Sequence, residues 1–163
     1  MENAELATNE TDDPALQPWS SAMAFFLPNA ITASALCAGL VSVHLSIGGR
    51  YDLAFAAIVV SAILDALDGR VARKLGSSSR FGAEFDSLAD FLSFGVAPIV
   101  LLYFWSGGRM SVPANLCLMA FALASALRLA RFNSRLDEPK AEWRRAYFTG
   151  MPAPSAALAV MLP

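Results

Sequence analysis

Apolar residues along this chain fall in long runs separated by short polar breaks. Four runs, residues 30–47, 53–74, 82–105 and 112–129, have about the length a helix needs to cross the hydrocarbon core of a bilayer. Gly48 and Gly49 before Arg50, Gly76 at the head of a serine-rich stretch to Arg80, and Gly107 and Gly108 before Arg109 mark the breaks, and each predicts a turn. A fifth run, residues 153–163, is too short to span. Residues 1–18 are polar and acidic, and Pro14 and Pro18 act against any helix there, so a disordered acidic tail is expected. Trp19, Phe25 and Phe26 suit the membrane–water interface, Pro28 suits a helix start and Asn29 its cap. The pattern predicts an all-α, polytopic membrane helix bundle of four complete spans plus a fragment of a fifth, in two parts: a tail (1–18) and a membrane-embedded domain (19–163).

Composition narrows this further. With 56% hydrophobic and 16% charged residues, the chain is too apolar for an ordinary soluble domain. The net charge of −2 says little, because the charges are unevenly placed, with five acidic and no basic residues in the first thirteen positions; no nucleic-acid partner is expected. Cys37 and Cys117 lie inside apolar runs and read as small buried hydrophobes, and His44 as a residue packed between helices. The acidic start is unlike the basic head of a secretory signal peptide, so none is expected. Arg70, Arg73, Lys74, Arg80 and the six basic residues from Arg128 to Arg145 fall on one side of the spans, against Arg50 and Arg109 on the other. By the positive-inside tendency, the side with ten is cytoplasmic.

The polar residues that interrupt the runs from within are aspartates. Asp65 and Asp68 stand three apart near the end of the second run, and Asp86 and Asp90 four apart near the start of the third. At about 100° per residue, Asp65, Asp68, Gly69, Ala72 and Arg73 share about 140° of one helix face, and Gly82, Asp86 and Asp90 about 80° of another. Asp65 precedes Arg73 by eight residues and Asp90 follows Gly82 by eight, matching depths of about 12 Å on antiparallel neighbours. Singly, Asp65 or Asp68 could pair with Arg70 or Arg73, and Asp86 could cap a helix. Four carboxylates together at a membrane margin, with small residues between them, point to a functional site. Their oxygens suit hard divalent cations such as magnesium, manganese or calcium.

From Asp65 through Asp68, Gly69, Ala72, Arg73, Gly82 and Asp86 to Asp90, the spacing resembles the signature of the CDP-alcohol phosphotransferase family at every fixed position. The resemblance implies two Mg2+ or Mn2+ ions, with Asp65 and Asp86 bridging both, Asp68 on one and Asp90 on the other. It makes Asp90 the general base toward an attacking hydroxyl. For the CDP-linked lipid it implies Asn29 and Thr32, from a Pro-Asn-x-x-Thr element, together with Asp68, Gly69, Ala72, Arg73, Ser79 and Gly82. Residues 81–98, 126–133 and 148–154 further resemble the bacterial phosphatidylserine synthases within that family. This implies CDP-diacylglycerol and L-serine as substrates, membrane lipids as surroundings and an inner-membrane enzyme with its site toward the cytoplasm, and it leaves room for a homodimer. Family members have at least six membrane helices, so the resemblance also implies that the domain is C-terminally incomplete here.

Serine chemistry suggests where the acceptor is held. Its carboxylate calls for a bidentate cation, which Arg supplies better than Lys. Arg128 and Arg131 sit three apart, on one side of the fourth run at its cytoplasmic end, and Asn133 and Ser93 could add hydrogen bonds. Other readings are the same chemistry with glycerol 3-phosphate, an inositol phosphate or choline, a cation transporter or channel, and a non-catalytic membrane fragment.

Overall fold

The computed structural model describes residues 17–75, 79–134 and 152–162, with backbone only for 17–25. Most of the expected tail, the loop at 76–78, and Arg135, Lys140, Arg144 and Arg145 lie outside the described residues. Among the described residues every element is helical: α1 (Gln17–Ile47), α2 (Tyr51–Leu75), α3 (Arg80–Asp90), a π-helical turn (Phe91–Val96), α4 (Ala97–Trp105), α5 (Val112–Ser134) and α6 (Ala153–Met161). Three stretches are long and apolar enough to cross a membrane: Phe26–Ile47, Arg80–Trp105 and Val112–Ser134. The 25-residue α2 has the length, but Asp65, Asp68, Arg70, Arg73 and Lys74 crowd its second half, so it does not reach the same apolar standard. α6 has nine residues.

Two local expectations are corrected. Pro18 does not break a helix but sits in the first turn of α1, where its missing N–H costs nothing. Pro28 does not start a helix either: α1 runs straight through it, so Asn29 is not an N-cap.

The core is assembled from small residues. On α1 the buried positions are Pro28, Thr32, Ala35, Gly39, Ser42 and Ser46, alternating steps of four and three. On α2 they are Ala54, Ile58, Ser61 and Asp68, and the same rhythm passes through the half-buried Asp65. Leu40, Val41, Ile47, Phe55, Val60 and Ile63 point outward. Small residues inside and large apolar ones outside is the arrangement of helices whose solvent is hydrocarbon, since close backbone approach gives the packing that hydrophobicity cannot. Cys37, Cys117 and His44, expected to be buried, belong to the outward set.

Hydroxyls tie the seam together. The Ala35 carbonyl accepts from Ser61 Oγ of α2 at 2.8 Å and from Ser93 Oγ at 3.5 Å. A side chain at Gly39 would collide with Ser93, so the π turn rests directly on the α1 backbone. At the far end, Gly49 has φ 73, the left-handed conformation that closes a helix. Arg50 N–H then donates to Leu45 O at 2.9 Å and Gly49 N–H to Ser46 O at 3.1 Å. This tight closure turns α2 back along α1. Ala54, Ile58, Phe94, Ala97, Leu101 and Ala157 form the apolar cluster under the turn, with Tyr51 donating to the Phe104 carbonyl at 2.9 Å.

Candidate active site

α1 packs against both α2 and α3, so the aspartates of the two helices can meet beside it. Asp65 lies ten residues before the end of α2 and Asp90 ten after the start of α3, about 15 Å along each helix. The equal depth brings the aspartates level. One carboxylate oxygen from each of Asp65, Asp68 and Asp86 lies within 4.8 Å of the others. Asp90 is beside this trio and not part of it: its carboxyl meets that of Asp65 in side-chain contact. Four carboxyl groups crowd one partly buried space, and ionising all of them calls for a counter-ion.

The donor set fits a hard divalent cation. Oxygens on opposite sides of Mg2+ or Ca2+ stand about 4–5 Å apart, given metal–oxygen bonds of about 2.0–2.6 Å. Three carboxylates from two helices within 4.8 Å therefore need little movement to share such an ion.

Neighbouring polar groups orient the carboxylates. Asp68 Oδ2 accepts a 2.7 Å hydrogen bond from Thr32 Oγ1, which also lies 3.1 Å from the Pro28 carbonyl. The Pro-Asn-x-x-Thr element thus meets α2 through its threonine. Ser79, and not Asp86, is the N-cap of α3, its Oγ accepting from Gly82 N–H at 2.9 Å. The Ser79 O–H remains able to donate. A methyl group on Gly82 would stand 3.0 Å from Ser79 Oγ and 3.2 Å from Asn29 Oδ1, so Asn29, Ser79 and Gly82 are brought together. At Gly69 a methyl group would touch only Arg73 Nη1, at 3.7 Å. The fold itself therefore does not require glycine there. Ala72 is half-buried and Arg73 exposed beside it.

The acceptor candidates divide. Asn133 reaches α3: its Oδ1 accepts from Ser87 Oγ at 2.9 Å and its Nδ2 donates to Glu84 Oε2 at 3.4 Å. Sequence reasoning missed Ser87 and Glu84, although their spacing of three on the flank of α3 was a usable signal. Arg128 is half-buried and Arg131 exposed on the same helix. Ser93 does not join them. It lies in the π turn that begins just after Asp90 and is buried against α1 at Ala35 and Gly39.

Comparison with known proteins identifies the family. Residues 25–163 match the family model described as CDP-alcohol phosphatidyltransferase. The chain is 44% identical over 137 residues to a Mycobacterium leprae protein named CDP-diacylglycerol–serine O-phosphatidyltransferase, covering 83% of this chain and 45% of that one. A Helicobacter pylori (strain 26695) protein of the same name is 40% identical over 143 residues, covering 85% of this chain and 56% of its own length. A third, from Bacillus subtilis, is 32% identical over 137 residues, covering 84% and 74%. The chain thus spans about half the length of the first of these relatives. No solved structure matches it. With its apolar spans, its aspartate spacing and a family match over residues 25–163, the chain belongs to the CDP-alcohol phosphatidyltransferase family as an integral membrane protein.

Proposed function

We propose that the protein transfers the phosphatidyl group of CDP-diacylglycerol to the hydroxyl of L-serine, giving phosphatidylserine and CMP. The observation that carries this reading is the approach of Asp65, Asp68 and Asp86 to within 4.8 Å, beside Asn29, Thr32, Ser79 and Gly82. The names of the relatives favour serine as acceptor.

In this reading Asp65, Asp68, Asp86 and Asp90 hold two divalent cations, Mg2+ or Mn2+. When bound, such ions neutralise the pyrophosphate oxygens and the charge on departing CMP. Asn29, Thr32 and Ser79 supply hydrogen bonds at the nucleotide end, Gly69 and Ala72 let the nucleotide lie against α2, and Arg73 faces the phosphates with a cationic fork. Asp90 takes the proton from the serine hydroxyl as its oxygen bonds to the lipid-side phosphorus. The bond from that phosphorus to the CMP oxygen breaks, and CMP leaves with the electron pair. Arg128 and Arg131 are the candidates for the serine carboxylate. The homodimer allowed by the sequence has no support in the fold or in the relatives.

The test is headgroup incorporation by the purified full-length protein, with serine against glycerol 3-phosphate and with Mn2+ against excess chelator. Serine-dependent, chelator-sensitive release of CMP is expected; preference for glycerol 3-phosphate would overturn the acceptor assignment. The reading also includes four spans plus a fragment, in a bacterial inner membrane, with the aspartates toward the cytoplasm. Single cysteines placed at 76–80 and at 107–109 test this with an impermeant thiol reagent on intact cells. Cys37 and Cys117 are exposed and must first be replaced. Labelling at 107–109 alone is expected, and labelling at 76–80 alone would reverse the orientation.

A further inference from the structure

The span Arg80–Trp105 is not one regular helix. Directly after Asp90 the chain widens into a π turn over Phe91–Val96, and Ala97 N–H donates to the Leu92 carbonyl five residues back. Such a turn holds one residue more than an α turn, so everything beyond it is rotated by about 100° relative to a regular helix.

Pro98, in the first turn of α4, supplies a local cause. It has no N–H to close an α turn on the Phe94 carbonyl, and its ring would press on that same oxygen. Two close contacts seat the widened turn. A methyl group on Gly95 would meet the Phe91 ring at 2.9 Å and Ser125 Cβ of α5 at 3.6 Å, and Ser93 rests on Gly39 of α1.

The consequence lies in the faces. Counted along an uninterrupted α-helix, Phe94, Ala97, Pro98 and Leu101 would centre roughly 50° to one side of Asp86 and Asp90, and the extra residue carries them about 100° round, level with Gly82 and Ala89. In the structure Ala89, Phe94, Ala97, Pro98 and Leu101 are all buried. The extra residue therefore sets, by about 100°, the direction in which Asp86 and Asp90 point relative to the packed face of α4.

We propose that Pro98 is a positioning residue: by enforcing the widened turn it aligns Asp86 and Asp90 with Asp65 and Asp68 while α4 stays packed in the core. α4 is held by Ala54, Ile58 and Ala157, so when the turn closes it is α3 that rotates. The activity part of the test rests on the functional reading above, whereas the distance part stands apart from it.

The experiment uses the full-length protein with spin labels at Lys74 and Leu88, both exposed, and a control pair at Ile47 and Trp105. Pro98→Ala restores the N–H and closes the turn. It should move the Lys74–Leu88 distance by about 5 Å or more, leave Ile47–Trp105 in place, and raise the Mn2+ concentration for half-maximal activity at least about tenfold, a 1.4 kcal/mol change. Deleting Leu92 in the Pro98→Ala background makes a straight helix one residue shorter, with both faces realigned; distance and Mn2+ requirement should return. A merely structural proline would not be rescued by a deletion. An unchanged Lys74–Leu88 distance in Pro98→Ala overturns the proposal, as does a moved distance with an unchanged Mn2+ requirement. If Pro98→Ala does not fold, a folded double variant with the native distance supports it, and a double variant that is misfolded or displaced overturns it. A wild-type protein without transferase activity would sink the functional reading alone, because the distances still decide the turn.

Discussion

The carboxylate end of the site and its flank on α5 use similar polar residues but are held in different ways. At the carboxylate end the side chains are short and stand on helices that pack backbone to backbone. Thr32 meets Asp68 at 2.7 Å, Ser79 caps α3 at 2.9 Å, and Asp65, Asp68 and Asp86 converge within 4.8 Å. On α5 the contact with α3 runs through Asn133, at 2.9 Å to Ser87 and 3.4 Å to Glu84, and Arg131 stays exposed. A site of short side chains on packed helices is organised before substrate arrives. Long arginines with many rotamers must be ordered on binding, at an entropic cost. Damage at the first end should therefore affect every step, and damage at the second should affect only the acceptor.

The largest effect is expected at the aspartates. Asp65→Asn or Asp86→Asn should lower activity at least about a thousandfold, some 4 kcal/mol in the barrier, and excess chelator should do the same to the wild type. Asp90→Asn should lower kcat by about a hundredfold or more, with CDP-lipid binding changed much less. Full activity in chelator would break the comparison at its base.

Next come the arginines. Arg128→Lys or Arg131→Lys should raise the serine KM about tenfold or more, near 1.4 kcal/mol, with the KM for CDP-diacylglycerol nearly unchanged. Normal serine kinetics in both variants would leave them as helix anchors and move the acceptor site elsewhere.

Gly69→Ala sharpens the contrast from the other side. A methyl group there meets only Arg73 Nη1 at 3.7 Å, so thermal stability should not change. Against a bound nucleotide it should raise the CDP-diacylglycerol KM about fivefold, near 1 kcal/mol. A loss of stability instead would make Gly69 a packing residue.

The smallest effects separate the two ends by stability. Thr32→Val removes a buried hydrogen bond to a carboxylate and should cost about 1.5–3 kcal/mol, whereas Asn133→Ala should cost about 0.5–1.5 kcal/mol. Denaturation of both variants under the same detergent conditions measures the difference. A larger loss for Asn133→Ala would mean that α5 is held as firmly as the carboxylate end.

Much of the site was legible because it depends on chemistry that a linear spacing preserves. Asp65 and Asp68 at a step of three, and Asp86 and Asp90 at a step of four, share helix faces in any regular helix, and their charge marks them against an apolar background. The grouping of Thr32 with Asp68, and of Asn29 with Ser79 and Gly82, was less visible: it joins residues far apart in the chain, on helices that α1 brings side by side. Ser93 could not be located from the sequence, because counting by 100° per residue assumes a regular helix, and the chain widens into a π turn just after Asp90.

By itself the sequence determined the class of the molecule and its most charged feature: apolar runs of membrane length, turns at glycines, and four carboxylates at two helical spacings. These follow from solvent transfer, backbone sterics and charge, which act residue by residue. Only the tertiary structure decided which faces turn inward. Thr32, Ala35, Gly39, Ser42 and Ser46 are buried while Leu40, Val41 and Ile47 point out, the reverse of the order that hydropathy gives a protein in water. In hydrocarbon an apolar face gains nothing by hiding, so burial is awarded by shape. Shape is a property of two helices in contact, at Ala35 with Ser61 or Gly39 with Ser93, and no single helix carries it.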